Sequence, residues 1–344
     1  MKVIYLAHHA LGDVIMKVPA LRYLSDKFGK KNVYFTVRDV KIKDFLVSHT
    51  PLIEQNIFIH NKKNSLKSKI NFILKLRTFK FDYFILPPTI DNRKGKLLFK
   101  LSKSKRLISH YQIYLKPRAN EVYIHKFKHK LLRNLEFIRY FKSWNDQDFY
   151  NFAIDNYYLD NLPNCNITNL NQDEKFLLIH PGSGGNFHKR FPVNKWKELV
   201  SLLRKNYPKY RIYISGSGQD EKEISKMITA TSKDDTFVKC IVDQFNLEQF
   251  MTLINNCKLF ISADCGPCHL ASIMKKQSVT VFGPTDFDIT GPFTNSTVVR
   301  ANPSILSMPQ NLRKKYGDNG FKMMDCFESI SSKDVFEAIK RNLD

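Results

Sequence analysis

The sequence reads as an α/β protein built from two doubly wound, Rossmann-like domains. Three observations lead there. Apolar runs of four or five residues, short enough for buried parallel strands, alternate along the chain with stretches of helical period. Strand runs exit into polar turns carrying Gly or Pro, the end of an open α/β sheet where ligands bind. Between about 155 and 173 the pattern dissolves into Asn, Asp and Pro and then restarts, which sets domains of 1–165 and 172–344.

In chain order, Val3 to Ala7 is a β-branched, apolar strand, followed by His8-His9-Ala10-Leu11-Gly12-Asp13-Val14. A helical pattern then places Val14, Val18, Leu21 and Leu24 on one face, and Pro19 either starts or kinks that helix. Asp13, at the carboxyl end of the first strand, is placed for catalysis or ligand contact; the plainer alternative is a helix N-cap. Strands near 32–37, 55–59 and 82–86 continue the βα series. Arg118 to Phe141 reads as one long basic helix, with Leu131, Leu135, Ile138 and Phe141 toward a core and its Lys face solvated or toward a membrane.

The second half opens with a strand at Phe176–Ile179 and a Gly-rich exit, His180-Pro181-Gly182-Ser183-Gly184-Gly185. A helix at Asn194–Lys205 carries Trp196, Leu199, Leu202 and Leu203. Arg211–Ile214 is a strand ending in Ser215-Gly216-Ser217-Gly218, with an acidic helix start at Gln219-Asp220-Glu221. A strand at Val238–Val242 and a helix at Leu247–Asn256 lead into a βαβ unit spanning Leu259 to Phe293. Its first turn is Asp264-Cys265-Gly266-Pro267-Cys268-His269 and its second is Gly283-Pro284-Thr285-Asp286. The last helix, 331–343, has Val335, Ile339 and Leu343 on one side and is expected to pack back on the N-terminal domain.

Charge narrows the partners. The chain holds 55 Lys and Arg against 32 Asp and Glu, a net +23, and residues 60–142 alone hold 22 against 4. Such a field attracts nucleic acid, anionic membrane or a phosphorylated substrate, and a Lys- and Asn-rich composition accounts for part of it. No apolar run approaches the roughly 20 residues needed to span a bilayer, and the N-terminus has no signal-peptide pattern, so a cytoplasmic start is expected. Six scattered Cys fit free thiols in a reducing compartment.

Two turns carry candidate chemistry. The Gly182–Gly185 exit offers backbone N–H groups to phosphate, with Lys189 and Arg190 following; it lacks the GK[ST] ending of a P-loop, and the alternative is a mere connector. Cys265-Gly266-Pro267-Cys268 is spelled like a thioredoxin centre, but it follows Asp264 late in a βα series with no second redox element. A zinc site lacks a second Cys/His pair. The remaining reading puts an anion at a helix N-terminus, with Asp264 and His269 shaping the pocket.

Taken in series, these segments resemble glycosyltransferase family 9, the ADP-heptose:lipopolysaccharide heptosyltransferases. The resemblance rests on Gly12-Asp13-Val14 with Pro19-Ala20-Leu21, on His180-Pro181-Gly182 through Lys189-Arg190-Phe191-Pro192 and Trp196, and on the Gly216 turn. It continues through Asp264 to Ala271, Phe282 to Asp286, Thr290-Gly291-Pro292, and Cys326 to Val335. It implies a GT-B fold, two Rossmann-like domains with a cleft between them, and inverting transfer of a heptose from ADP-heptose to the inner core of lipopolysaccharide. By position, Asp13 would be the catalytic base; Lys189 with Ser183 and Gly184 would neutralise the donor diphosphate. Asp264 would bind sugar hydroxyls, and Cys265, Gly266 and His269 would bring a helix N-terminus to phosphate. Thr285 would complete the donor site and Phe245 would meet the base. Cys265 stands where the family usually has Ser or Thr, and Gly218 where some relatives carry an acidic residue.

The resemblance further implies no cofactor and no required metal, and a nucleotide-sugar donor. The acceptor would be a phosphorylated lipid A–Kdo or core glycolipid, in a Gram-negative bacterium. It implies a monomer, peripheral at the inner face of the inner membrane, where region 60–142 would meet anionic headgroups. A family member with a different donor or glycan acceptor is the main alternative. A basic nucleic-acid-binding protein is the remote one, and no aromatic–basic stacking surface supports it.

Overall fold

The computed structural model describes residues 1–7, 10–60, 65–87, 92–109, 128–167, 170, 174–184, 189–230, 237–301 and 323–344. Contacts divide the chain into two compact units, Met1–Asp160 and Asn161–Asp344.

The first unit is built on five parallel strands: β1 (Val3–Tyr5), β2 (Val33–Val37), β3 (Ile57–Ile59), β4 (Tyr83–Leu86) and β5 (Arg106–Ser109), in the order β3-β2-β1-β4-β5. β1 sits at the centre with Val3 beside Val33 on one side and Tyr83 on the other. Strands β1, β2 and β4 are buried along their whole length. That is why their sequences are continuous apolar runs rather than alternating ones. The helices are α1 (Leu11–Ile15), α2 (Val18–Phe28), α3 (Val40–His49), α4 (Leu66–Phe79), α5 (Asn92–Ser102), α6 (Lys130–Leu135) and α7 (Asp146–Asp155). Pro19 lies in the first turn of α2, where its missing N–H has no intrahelical partner to lose, so the helix starts there.

The second unit has six parallel strands: β6 (Phe176–His180), β7 (Arg211–Ile214), β8 (Val238–Cys240), β9 (Leu259–Ala263), β10 (Ser278–Phe282) and β11 (Ser296–Arg300). Their order is β11-β10-β9-β6-β7-β8. Its helices are α8 (Val193–Asn206), α9 (Gln219–Thr229), α10 (Leu247–Asn256), α11 (Gly266–Ile273), α12 (Phe287–Thr290) and α13 (Ser332–Leu343). Both sheets have the doubly wound order, in which the direction of winding reverses beside the first strand. The crevices outside the strand ends therefore lie between β1 and β4 in one unit and between β6 and β9 in the other.

Two expectations change. Edge strands β5 and β11 go beyond the sequence reading. β11 is only half-buried and carries Ser, Thr and Arg, so it lacks the apolar run that marks a central strand. The basic helix expected over 118–141 is, among the described residues, α6 followed by a 3-10 turn at Glu136–Tyr140; positions 118–127 lie outside the described residues. Leu131, Leu135 and Ile138 are buried as their spacing implies. α13 places Val335, Ala338 and Ile339 in the core of its own unit, with Trp196, Leu199 and Leu203 of α8. A capping box from Ser331 and Asp334 starts it.

Candidate active site

Three of the site residues expected from sequence meet at the carboxyl end of the second sheet. Asp264 leaves β9 and is 4% exposed. Its Oδ2 accepts from Lys189 Nζ at 2.7 Å and from the Thr285 hydroxyl. Thr285 comes from the turn after β10 and Lys189 from the segment after β6, so three strand exits converge on one carboxylate. Two residues after Lys189 the segment is anchored by Phe191, which is buried against Trp196 with ring centroids 5.4 Å apart. Lys189 keeps 24% of its side chain exposed while Asp264 has almost none. A buried carboxylate is thereby neutralised by a cation that still faces outward.

Ser183 and Gly184 lie in the adjoining turn after β6, and their surroundings were not legible beforehand. Glu221, in the first turn of α9, is 3% exposed. Its carboxylate accepts the Gly184 N–H at 3.1 Å and the Ser217 N–H at 2.8 Å, and His180 Nε2 lies 3.7 Å away. One buried side chain thus clasps two Gly-bearing turns. Gly182 is glycine because a Cβ there would sit 2.1 Å from the Glu221 carboxyl. The Gly184 N–H, expected to face phosphate, is engaged by Glu221. Burial lowers the His180 imidazole pKa below its usual 6.5, with Glu221 opposing, and His180 Nδ1 lies 3.1 Å from the Ser215 hydroxyl. Phe245 is half-buried in the turn after β8. There Asp243, at φ +59°, accepts the Gly218 N–H at 2.9 Å and ties that turn to the Gly216–Gly218 loop.

Cys265 is the N-cap of α11 but makes no side-chain cap bond, and Gly266 is the helix's first residue. Cys268 Sγ donates to the Cys265 carbonyl at 2.8 Å. Both thiols are buried and free, and burial pushes both upward, away from the thiolate. A redox centre needs an accessible, low-pKa sulfur, so these residues pack rather than react. His269 is buried in α11, at 5% exposure. Among the described residues no group of three His, Cys, Asp or Glu side chains could hold a metal ion.

In the first unit, Asp13 occupies the third position of α1 rather than its N-cap, which is Ala10. Its carboxylate accepts from Lys130 Nζ, and its backbone carbonyl accepts from Lys17 Nζ at 2.8 Å. Lys17 has no exposed surface. Burial pushes its ammonium down to about 7; Asp13 opposes that shift and Lys130 adds to it. Asn134, one turn beyond Lys130, donates to the Met16 carbonyl at 3.3 Å and so fixes α6 against the start of α2. The sequence reading had no role for Lys130 or Lys17. Lys17 carried a faint signal, being four residues from Asp13 beside an apolar face. Lys130 carried none, since it was one Lys among many.

The sequence profile of glycosyltransferase family 9 (heptosyltransferase) matches residues 102–316. The chain is 24% identical to lipooligosaccharide heptosyltransferase 2 of Campylobacter jejuni subsp. jejuni serotype O:6 over 340 residues, covering 96% of each chain. It is 24% identical to lipopolysaccharide heptosyltransferase 1 of Campylobacter coli, covering 99% of this chain and 98% of the relative. Among solved structures, the E. coli heptosyltransferase WaaC with ADP superposes with a TM-score of 0.68 at 19% identity, covering 99% of this chain and 100% of that one. At that identity the likeness is one of fold, and it is the GT-B fold.

Proposed function

The chain belongs to glycosyltransferase family 9, and from that premise we propose that it transfers a heptose from ADP-heptose to the inner core of lipopolysaccharide, with inversion at the anomeric carbon. Relatives named lipooligosaccharide heptosyltransferase 2 and lipopolysaccharide heptosyltransferase 1 match at the same identity, and both names support this acceptor class. The observation that carries the reading is the Lys189–Asp264–Thr285 cluster beside the α11 N-terminus, at the winding reversal of the second sheet.

In this reading Asp13 takes the proton from the acceptor hydroxyl as that oxygen bonds to the anomeric carbon. The bond from that carbon to the diphosphate oxygen breaks, and its electron pair leaves with ADP. Lys189 and the N–H dipoles at the start of α11 stabilise the departing charge. The reading needs no metal, because those groups supply the positive charge. Asp264 and Thr285 meet the sugar hydroxyls, and Asp264 holds Lys189 in place before the donor arrives. Phe245 packs against the nucleotide base. The acceptor is lipid-anchored and phosphorylated, so the enzyme works at the inner face of the inner membrane; we take it to act there as a monomer. Among the described residues no helix is long and apolar enough to cross it.

The test pairs two measurements. Asp13→Asn should abolish transfer while ADP binding, followed by calorimetry, stays within about twofold of the parent; full turnover would remove Asp13 as the base. Thermal shifts against ADP-, UDP- and GDP-sugars should be largest with ADP-heptose. A larger shift with a UDP- or GDP-sugar would overturn the donor.

A further inference from the structure

We propose that the outer face of the α4–α5 layer is a docking surface for an anionic lipid bilayer. α4 turns Phe72 and Leu76 into a core with Ile4, Phe58, Phe84 and Leu107. On its opposite side stand Leu66, Ile70 and Leu74, which are 75%, 48% and 51% exposed. At about 100° per residue, these three positions fall within an arc of roughly 80° directed away from that core. Leu97 of α5, 57% exposed, adds a fourth aliphatic side chain. The two helices pack side by side, and Arg77 Nε of α4 donates to the Leu101 carbonyl of α5 at 2.6 Å.

The charge on the same layer has one sign. α4 carries Lys67, Lys69, Lys75 and Arg77, α5 carries four more cations between 93 and 100, and neither helix contains an Asp or Glu. A water-facing helix has no reason to place Leu or Ile at three successive turns of its outer face. An interfacial helix has one, because aliphatic side chains enter the acyl boundary while Lys and Arg meet headgroup phosphates. A second copy of this chain would bring the same +23 charge against the face and be repelled. Single-stranded nucleic acid calls for stacking rings, and the outward side chains are aliphatic; a duplex would meet the cations but leave those aliphatic side chains unburied.

The inference deepens the membrane-side half of the proposed function and rests on its premise of a lipid-anchored acceptor; vesicle binding is read without that acceptor, which enters only as a control on activity. The purified 344-residue chain is sedimented with vesicles of phosphatidylethanolamine and phosphatidylglycerol, and with vesicles of phosphatidylcholine alone. The parent should prefer the anionic vesicles and lose affinity as salt is raised. The variant Leu66→Ser/Ile70→Ser/Leu74→Ser should bind them at least about tenfold more weakly, with its ADP thermal shift and its transfer to a detergent-dispersed acceptor unchanged. Equal sedimentation of parent and variant would overturn the proposal. So would a parent dimer that the variant lacks, or loss of transfer to the dispersed acceptor in a folded variant. If the triple variant fails to fold, Lys67→Gln/Lys69→Gln must still weaken anionic-vesicle binding, or the proposal falls. Failure of heptose transfer in the parent would count against the proposed function and leave the vesicle result standing.

Discussion

The Lys189–Asp264 pair makes opposite demands on stability and on donor binding, and a double-mutant cycle separates them. Asp264 is almost fully buried, with its Oδ2 held at 2.7 Å by Lys189 and also by the Thr285 hydroxyl. Lys189→Ala leaves that carboxylate with the hydroxyl alone. Breaking a fully buried ion pair costs about 3–5 kcal/mol; with Lys189 a quarter exposed and Thr285 still donating, about 2 kcal/mol is expected. Adding Asp264→Asn removes the stranded charge, so the double variant should lie within about 1 kcal/mol of the parent. The chain has two Trp residues, and Trp196 is buried in the core of the second unit. In a Trp144→Phe background, urea unfolding followed at Trp196 therefore reports that unit alone. ADP affinity should follow a different pattern: weakened in Lys189→Ala, kept or improved in Asp264→Asn, and still weak in the double variant. If Lys189→Ala costs under about 0.5 kcal/mol, or if Asp264→Asn restores ADP binding to it, the assignment of Lys189 to both partners is wrong.

Glu221→Gln keeps the shape of the clasp, but its amide can accept only one of the two N–H groups and turns a donor toward the other. A loss of about 1–3 kcal/mol is expected at the same Trp196 probe, and a loss below about 0.5 would refute the clasp. His180 gives a pH dependence whose sign follows from its lowered pKa. The folded state prefers the neutral ring, so its stability contribution is fully present above about pH 6.5 and is lost as pH falls through the folded pKa. His180→Asn should flatten that fall, and an unchanged slope would show the titrating group lies elsewhere. Because burial raises both thiols, Cys265 and Cys268 should stay unmodified by iodoacetamide in the native protein at pH 8, while half-buried Cys165 and Cys240 react. Modification at Cys265 before unfolding, seen by peptide mass, would contradict the burial.

What the sequence alone determined was local and periodic. The central strands of both sheets are apolar on both faces, so β1, β2, β4, β6, β7, β9 and β10 stand out in any reading of the chain. Their polar exits named Asp13, Lys189, Asp264 and Thr285, because a Rossmann-like sheet puts ligand-facing residues at strand ends whatever their partners are. The two thiols of Cys-Gly-Pro-Cys, the most conspicuous spelling in the chain, are buried and serve packing.

Which side chains meet was decided by the tertiary structure. Lys130 reaches Asp13 across 117 positions and Glu221 reaches Gly184 across 37, and no period links such pairs. They follow from strand order and helix docking, which bring distant turns to one edge. The same holds for α4: its sequence shows apolar residues on more than one side, and only the docking of Phe72 and Leu76 leaves Leu66, Ile70 and Leu74 outward. Burial and ion pairing are properties of the packed chain, so the groups that tune this site could be named only after the fold had chosen their neighbours.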